Sequence, residues 1–224
     1  MIAALLAAYV GLMTYALVSW RRGKVRSRRI ATITGHKPFL PADTSEMTGT
    51  AYHEAGHALL VWHSPYVYVI TNAQIDTMGG VVNYRMVKPA TETALWTELT
   101  VKLAGLAGEV IASGRLKSMG AEGDLGRARE LATEIFEEYG DREVRRRLAK
   151  LTVESSIDIG ALFRNPLRPE VRMILNAAFL AAKEHLIEFE APFRRIAVAL
   201  LERRRLSHDD LRKILGPRPW SRFQ

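Results

Sequence analysis

His53-Glu54-Ala55-Gly56-His57 places two imidazoles and a carboxylate within five residues. On an α-helix, residues four apart differ by about 40° around the axis, so both rings can grip one ion. Glu54 falls on an adjoining part of that face, where a carboxylate could take a proton from a metal-activated water. The competing reading is an ordinary amphipathic helix with polar residues at its edge. Two histidines one turn apart around a glutamate do little for packing, which favours the metal.

A metal that activates water usually has three protein ligands and one open position. The chain has no cysteine, so the third must be nitrogen or oxygen. His63 lies about 240° further around the helix than His57. His36 falls in a polar connector, and His185 and His208 fall in unrelated helices. Two carboxylates remain. Glu109 sits on a downstream helix, and Asp124 opens a helix after the turn Met119-Gly-Ala-Glu-Gly-Asp-Leu125. Asp at a helix start is commonly an N-cap, so spacing alone leaves the two open.

The elements that must position these groups can be read from pattern. Thr48-Gly-Thr-Ala-Tyr-His-Glu-Ala-Gly-His-Ala-Leu-Leu-Val-Trp62 has threonines suited to an N-cap and an apolar run able to bury one side. This helix is expected over 48–63. Gly56 costs it about 1 kcal/mol relative to Ala, which makes sense where a backbone or substrate comes close. Tyr66–Thr71 and Val81–Met86 read as short strands around a turn at Thr77–Gly80. Leu95, Leu99, Leu103, Leu106 and Val110 then recur at helical spacing, with Gly114 as terminator. Further helices are expected over 124–138, 142–154, 169–188 and 190–204, with a short one near 207–215. Arg203-Arg204-Arg205 reads as a solvated helix end. The fold class is mainly α (α+β), with one small sheet beside the metal helix.

The 224 residues allow one ordinary domain plus an extension, and 48% hydrophobic with 25% charged residues is typical of a folded chain. Ile2–Trp20 carries no charge and would span roughly 28 Å as a helix, close to a bilayer's hydrocarbon core. Arg21, Arg22, Lys24, Arg26, Arg28 and Arg29 follow it. A secretory signal has the reverse order, so an uncleaved anchor is expected, with the N-terminus outside and the remainder cytoplasmic. Those six cations belong to the net charge of +8 and leave +2 for the rest. They suit anionic lipid headgroups, and no nucleic-acid module is visible. The expected organisation is an anchor at 1–20, a basic connector at 21–47, a catalytic domain at 48–215 and a loose tail at 216–224.

Ala51-Tyr-His-Glu-Ala-Gly-His-Ala-Leu59, Leu103-Ala-Gly-Leu-Ala-Gly-Glu109, Gly120-Ala-Glu-Gly-Asp-Leu125 and Glu138-Tyr-Gly140 occur in that order. Together they resemble the peptidase domain of the FtsH-type membrane AAA zinc metalloproteases, over roughly 48–215. The resemblance implies one Zn2+ per chain, held by His53, His57 and Asp124, with Glu54 as general base. It also implies that Gly79, Gly80, Val81, Val82, Asn83 and Tyr84 form the edge on which an extended peptide substrate pairs. A homo-hexamer in the inner membrane follows from the same likeness, whereas a separate ATPase as partner is expected from the departures that follow.

The chain departs from that family in several places. Between the anchor and the peptidase motifs stand only residues 21–47, and no G-x-x-x-x-G-K followed by Ser or Thr occurs, so ATP binding by that device is not expected. Leu106 stands where the family usually has Arg, Gly123 where Asn often precedes the aspartate, and Arg129 where Thr is usual. The expected function is ATP-independent zinc endopeptidase action on unfolded or flexible protein. The alternative is a membrane-tethered, zinc-stabilised binding module, or a non-catalytic partner of a separate AAA protease.

Overall fold

The computed structural model describes residues 36–41, 45–87, 91–115, 121–140 and 158–219. Contacts divide the chain into Met1–His36 and Lys37–Gln224, and every described element belongs to the second unit. The expected anchor at 1–20 and helix at 142–154 lie outside the described residues, as does most of the connector. No helix among the described residues is long and apolar enough to cross a membrane.

Helix α1, Glu46–His63, runs through the middle of the unit. Every residue from Ala51 to Trp62 is buried, because α1 packs against two later helices and the sheet at once. The apolar run therefore buries the whole circumference, where one face was expected. Its N-cap is Ser45, whose side chain accepts from Thr48 N at 3.3 Å. The threonines expected to cap it lie inside the helix, and Thr50 Oγ1 donates to Glu46 O at 3.0 Å. The helix thus takes in residues 46 and 47, assigned above to the connector.

Strands β1, Val67–Asp76, and β2, Gly79–Met86, form an antiparallel hairpin closed by Thr77-Met78. Asp76 Oδ1 accepts from Met78 N at 2.7 Å and Gly79 N at 3.0 Å, and Gly79 takes φ 148°, which a side chain would resist. Both strands are longer than their apolar stretches suggested. Helix α2, Glu92–Ser113, is capped by Thr91 and ends at left-handed Gly114, whose N–H bonds to Val110 O at 2.9 Å.

Helix α3, Glu122–Tyr139, follows. A 3₁₀ turn at Ile159–Leu162 leads to α4, Pro169–Glu188, and α5, Glu190–Arg203. The basic triplet is only partly a helix end. Arg203 closes α5, Arg204 turns left-handed at φ 63°, and Arg205 begins β3, Arg205–Ser207. This strand pairs with Asn72–Gln74 of β1, giving the sheet order β2-β1-β3 with β2 at the edge. A capping box of Ser207 and Asp210 then starts α6, His208–Leu215. Beyond it, in the stretch expected to be loose, Arg218 donates to Trp62 O at 3.3 Å, to Ser64 O at 3.2 Å and to Val67 O. It thereby takes up carbonyls at the C-terminus of α1.

One apolar core joins these elements, with Leu59, Trp62, Leu99, Leu103, Leu131, Phe179 and Phe193 fully enclosed. Helix α1 lies against α2, α5 and the hairpin, while α2 also packs on α3 and α4.

Candidate metal centre

The α1–α2 crossing brings two backbones unusually close. A Cβ on Gly56 would stand 2.3 Å from Ala104 O, and one on Gly105 would stand 2.3 Å from His53 Nε2. The absence of side chains at these positions lets the His53 ring lie flat against the backbone of α2. Both histidines are buried, with their Nε2 atoms 3.1 Å apart and their ring centroids 4.8 Å apart.

Asp124 sits in the first turn of α3 and completes the group. Its Oδ2 is 3.0 Å from His57 Nε2 and 3.5 Å from His53 Nε2. Among the described residues, His53, His57 and Asp124 form the one group of three side chains able to hold a metal ion, with one donor atom each within 4.8 Å of the others.

The far nitrogens explain the orientation. His57 Nδ1 is 2.8 Å from Val101 O, a carbonyl that can only accept, so Nδ1 carries a proton and Nε2 is the nitrogen turned towards Asp124. His53 Nδ1 lies 2.6 Å from Glu109 Oε1. An acceptor behind each ring, leaving the other nitrogen for a metal, is the arrangement found around metal-bound histidines. Glu109, the rival third carboxylate, thus stands behind His53 rather than beside Asp124.

The electrostatics invite a cation. Burial by itself lowers the His53 pKa, but hydrogen bonds to Asp124 and Glu109 and the charge of Glu54 overcome it and raise the value to about 10. Burial likewise pushes Asp124 upward, yet its hydrogen bonds to His53 and His57 and the nearby Lys102 hold it well below the usual carboxylate range. A proton or a divalent cation at the imidazole nitrogens meets the same demand for positive charge.

Glu54 is buried, and burial raises its pKa against the lowering effect of the two histidines. It lies directly against β2, since a Cβ on Gly80 would fall 2.4 Å from Glu54 Cγ. The expected substrate strand, Gly79, Gly80, Val81, Val82, Asn83 and Tyr84, is therefore the sheet edge beside the carboxylate.

The remaining histidines lie elsewhere. His63 Nδ1 and His185 Nε2 meet at 2.8 Å, a pairing not foreseen from their separation in sequence, and His208 Nδ1 lies 3.1 Å from Ile70 O. The sequence reading also missed Lys102, whose Nζ is 3.0 Å from Asp124 Oδ1. A visible signal existed, because Lys102 is the only basic residue within α2.

The family model for Peptidase family M41 matches residues 41–214. The chain is 31% identical over 189 residues to the ATP-dependent zinc metalloprotease FtsH of Rhodothermus marinus, covering 77% of this chain and 26% of that protein. It is 30% identical over 187 residues to FtsH 1 of Thermomicrobium roseum, covering 76% and 28%. With the mouse mitochondrial inner membrane m-AAA protease component AFG3L2 it shares 25% over 189 residues, covering 79% and 23%. The chain spans about a quarter of the length of these curated relatives. A match across most of the sequence, carried by a domain built around two histidines and a facing aspartate, has one consequence: the chain belongs to Peptidase family M41.

Proposed function

We propose that this chain is a zinc metalloendopeptidase acting on unfolded or flexible protein. The observation that carries the reading is the convergence of His53 Nε2, His57 Nε2 and Asp124 Oδ2 beside the buried Glu54. Two imidazoles and one carboxylate are a donor set suited to one Zn2+, and both imidazoles are braced from behind. Bound there, zinc supplies a Lewis acid that acidifies water and polarises the scissile carbonyl.

The chain's own groups do the rest. Glu54 takes the proton from the attacking water and returns it to the leaving amine. Its raised pKa makes it a better proton acceptor than an exposed carboxylate. The outer edge of β2 offers backbone groups to an extended peptide, and Gly80 places that edge against Glu54. The names of the bacterial relatives call them ATP-dependent. This sequence contains no G-x-x-x-x-G-K followed by Ser or Thr, so these residues would hydrolyse segments already unfolded, or segments delivered by a separate ATPase. Ile2–Trp20 serves as the anchor, with the peptidase domain on the cytoplasmic side.

The test is hydrolysis of unfolded casein by the full chain with Zn2+ and without ATP. Cleavage is expected, and it should vanish with chelator and in Glu54→Gln, which should still bind zinc. Normal turnover by Glu54→Gln would overturn the role of Glu54. Binding of about one zinc per chain with no cleavage would favour the non-catalytic binding module.

A further inference from the structure

Lys102 is a half-buried cation in an otherwise apolar or neutral stretch of α2, and the proposed chemistry leaves it without a task. Its Nζ donates to Asp124 Oδ1 at 3.0 Å, while the other oxygen, Oδ2, faces the two imidazole nitrogens. The ammonium also lies 5.9 Å from the centre of the Tyr84 ring on β2. Burial works against its charge, and Tyr84 and Asp124 more than restore it. One side chain thus links α2, the first turn of α3 and the edge strand.

A carboxylate beside a metal can offer one oxygen or both. An ammonium on Oδ1 engages that oxygen in a charge-assisted bond and fixes the plane of the group. We infer that Lys102 is a positioning residue that makes Asp124 a one-oxygen ligand. The inference rests on the reading of His53, His57 and Asp124 as the metal site.

Charge and positioning predict opposite signs. Lys102 repels a divalent ion, so on charge alone its removal tightens binding. Positioning predicts the reverse, because loss of a residue that orients a ligand weakens metal affinity by about 10- to 100-fold.

The probe is Co2+ added to the full chain, with affinity read by chelator competition and coordination read from the visible absorption bands. Those bands are strong in four-coordinate sites and weaker when the number rises. In Lys102→Met we expect about tenfold weaker binding, with weaker bands as Asp124 turns to offer both oxygens. Lys102→Arg, which keeps the charge and a donor, should recover affinity and bands. Wild-type bands with equal or tighter binding in Lys102→Met would overturn the inference while leaving the site intact. A wild-type chain that binds no Co2+ would overturn the site reading itself. If Lys102→Met does not fold, Lys102→Leu, which also lacks a donor, takes its place, with the same two outcomes.

Discussion

Replacing Gly56 with alanine sets helix propensity against packing at the centre of the molecule. In an isolated helix the change is favourable by about 1 kcal/mol, because glycine has more backbone entropy to lose. Here the new Cβ would lie 2.3 Å from Ala104 O and 2.9 Å from Ala104 C. Both are backbone atoms of α2 and cannot rotate aside, so α1 and α2 must part by about 1 Å to restore ordinary contact, enough to forfeit a quarter to a half of the dispersion attraction across the gap. Overpacking of this kind costs about 1–3 kcal/mol, and a backbone obstacle belongs at the upper end. The net expectation is destabilisation by about 1–2 kcal/mol, opposite in sign to the propensity.

The same parting would damage the site, since α1 carries both histidines and α2 carries the groups behind them. His53 Nδ1–Glu109 at 2.6 Å and His57 Nδ1–Val101 at 2.8 Å would stretch past useful hydrogen-bond length. Zinc affinity should then fall by about 10-fold or more. Urea unfolding of the metal-free chain, paired with chelator competition for zinc, measures both effects. Gly126→Ala on α3 is the control, because a Cβ there meets nothing within 4 Å; it should stabilise by up to about 1 kcal/mol. If Gly56→Ala also stabilised the chain, the close-approach argument would fail.

Asp124→Ala should lose zinc, whereas Glu109→Gln should keep it with about 10- to 100-fold weaker affinity; metal content and competition titration would show a reversed order if Glu109 were the ligand. Gly80→Ala pushes a Cβ into Glu54, so casein hydrolysis should drop by about 10²-fold while zinc content stays at the wild-type level. Retained hydrolysis would separate β2 from the chemistry. Burial lowers the His63 pKa from 6.5 to about 4. The unfolded chain therefore takes up that proton first, and stability present above pH 6.5 is lost as the pH falls towards about 4. His63→Gln should flatten this part of the stability–pH curve, and an unchanged slope would exclude His63 as its source.

What could be read in advance follows how local each feature is. The spacing of His53 and His57 is a property of one helix, so the paired imidazoles were legible from five residues. The hairpin was legible too, because Asp76 and Gly79 close it within a single turn. The choice between Glu109 and Asp124 was not, since it depends on how α2 and α3 each meet α1. On the residues alone it stayed open, and only the family likeness favoured Asp124. Strand β3 is three residues long and exists by pairing with β1 far away in sequence, so an arginine run concealed it. Burial around the whole of α1 was hidden for a related reason: periodicity reports one apolar face, and a helix enclosed on every side has none to report. Lys102 shows how such gaps can be narrowed. A lone cation inside a run that otherwise reads as core needs a buried partner, and Asp124 was one of the carboxylates the sequence offered for it.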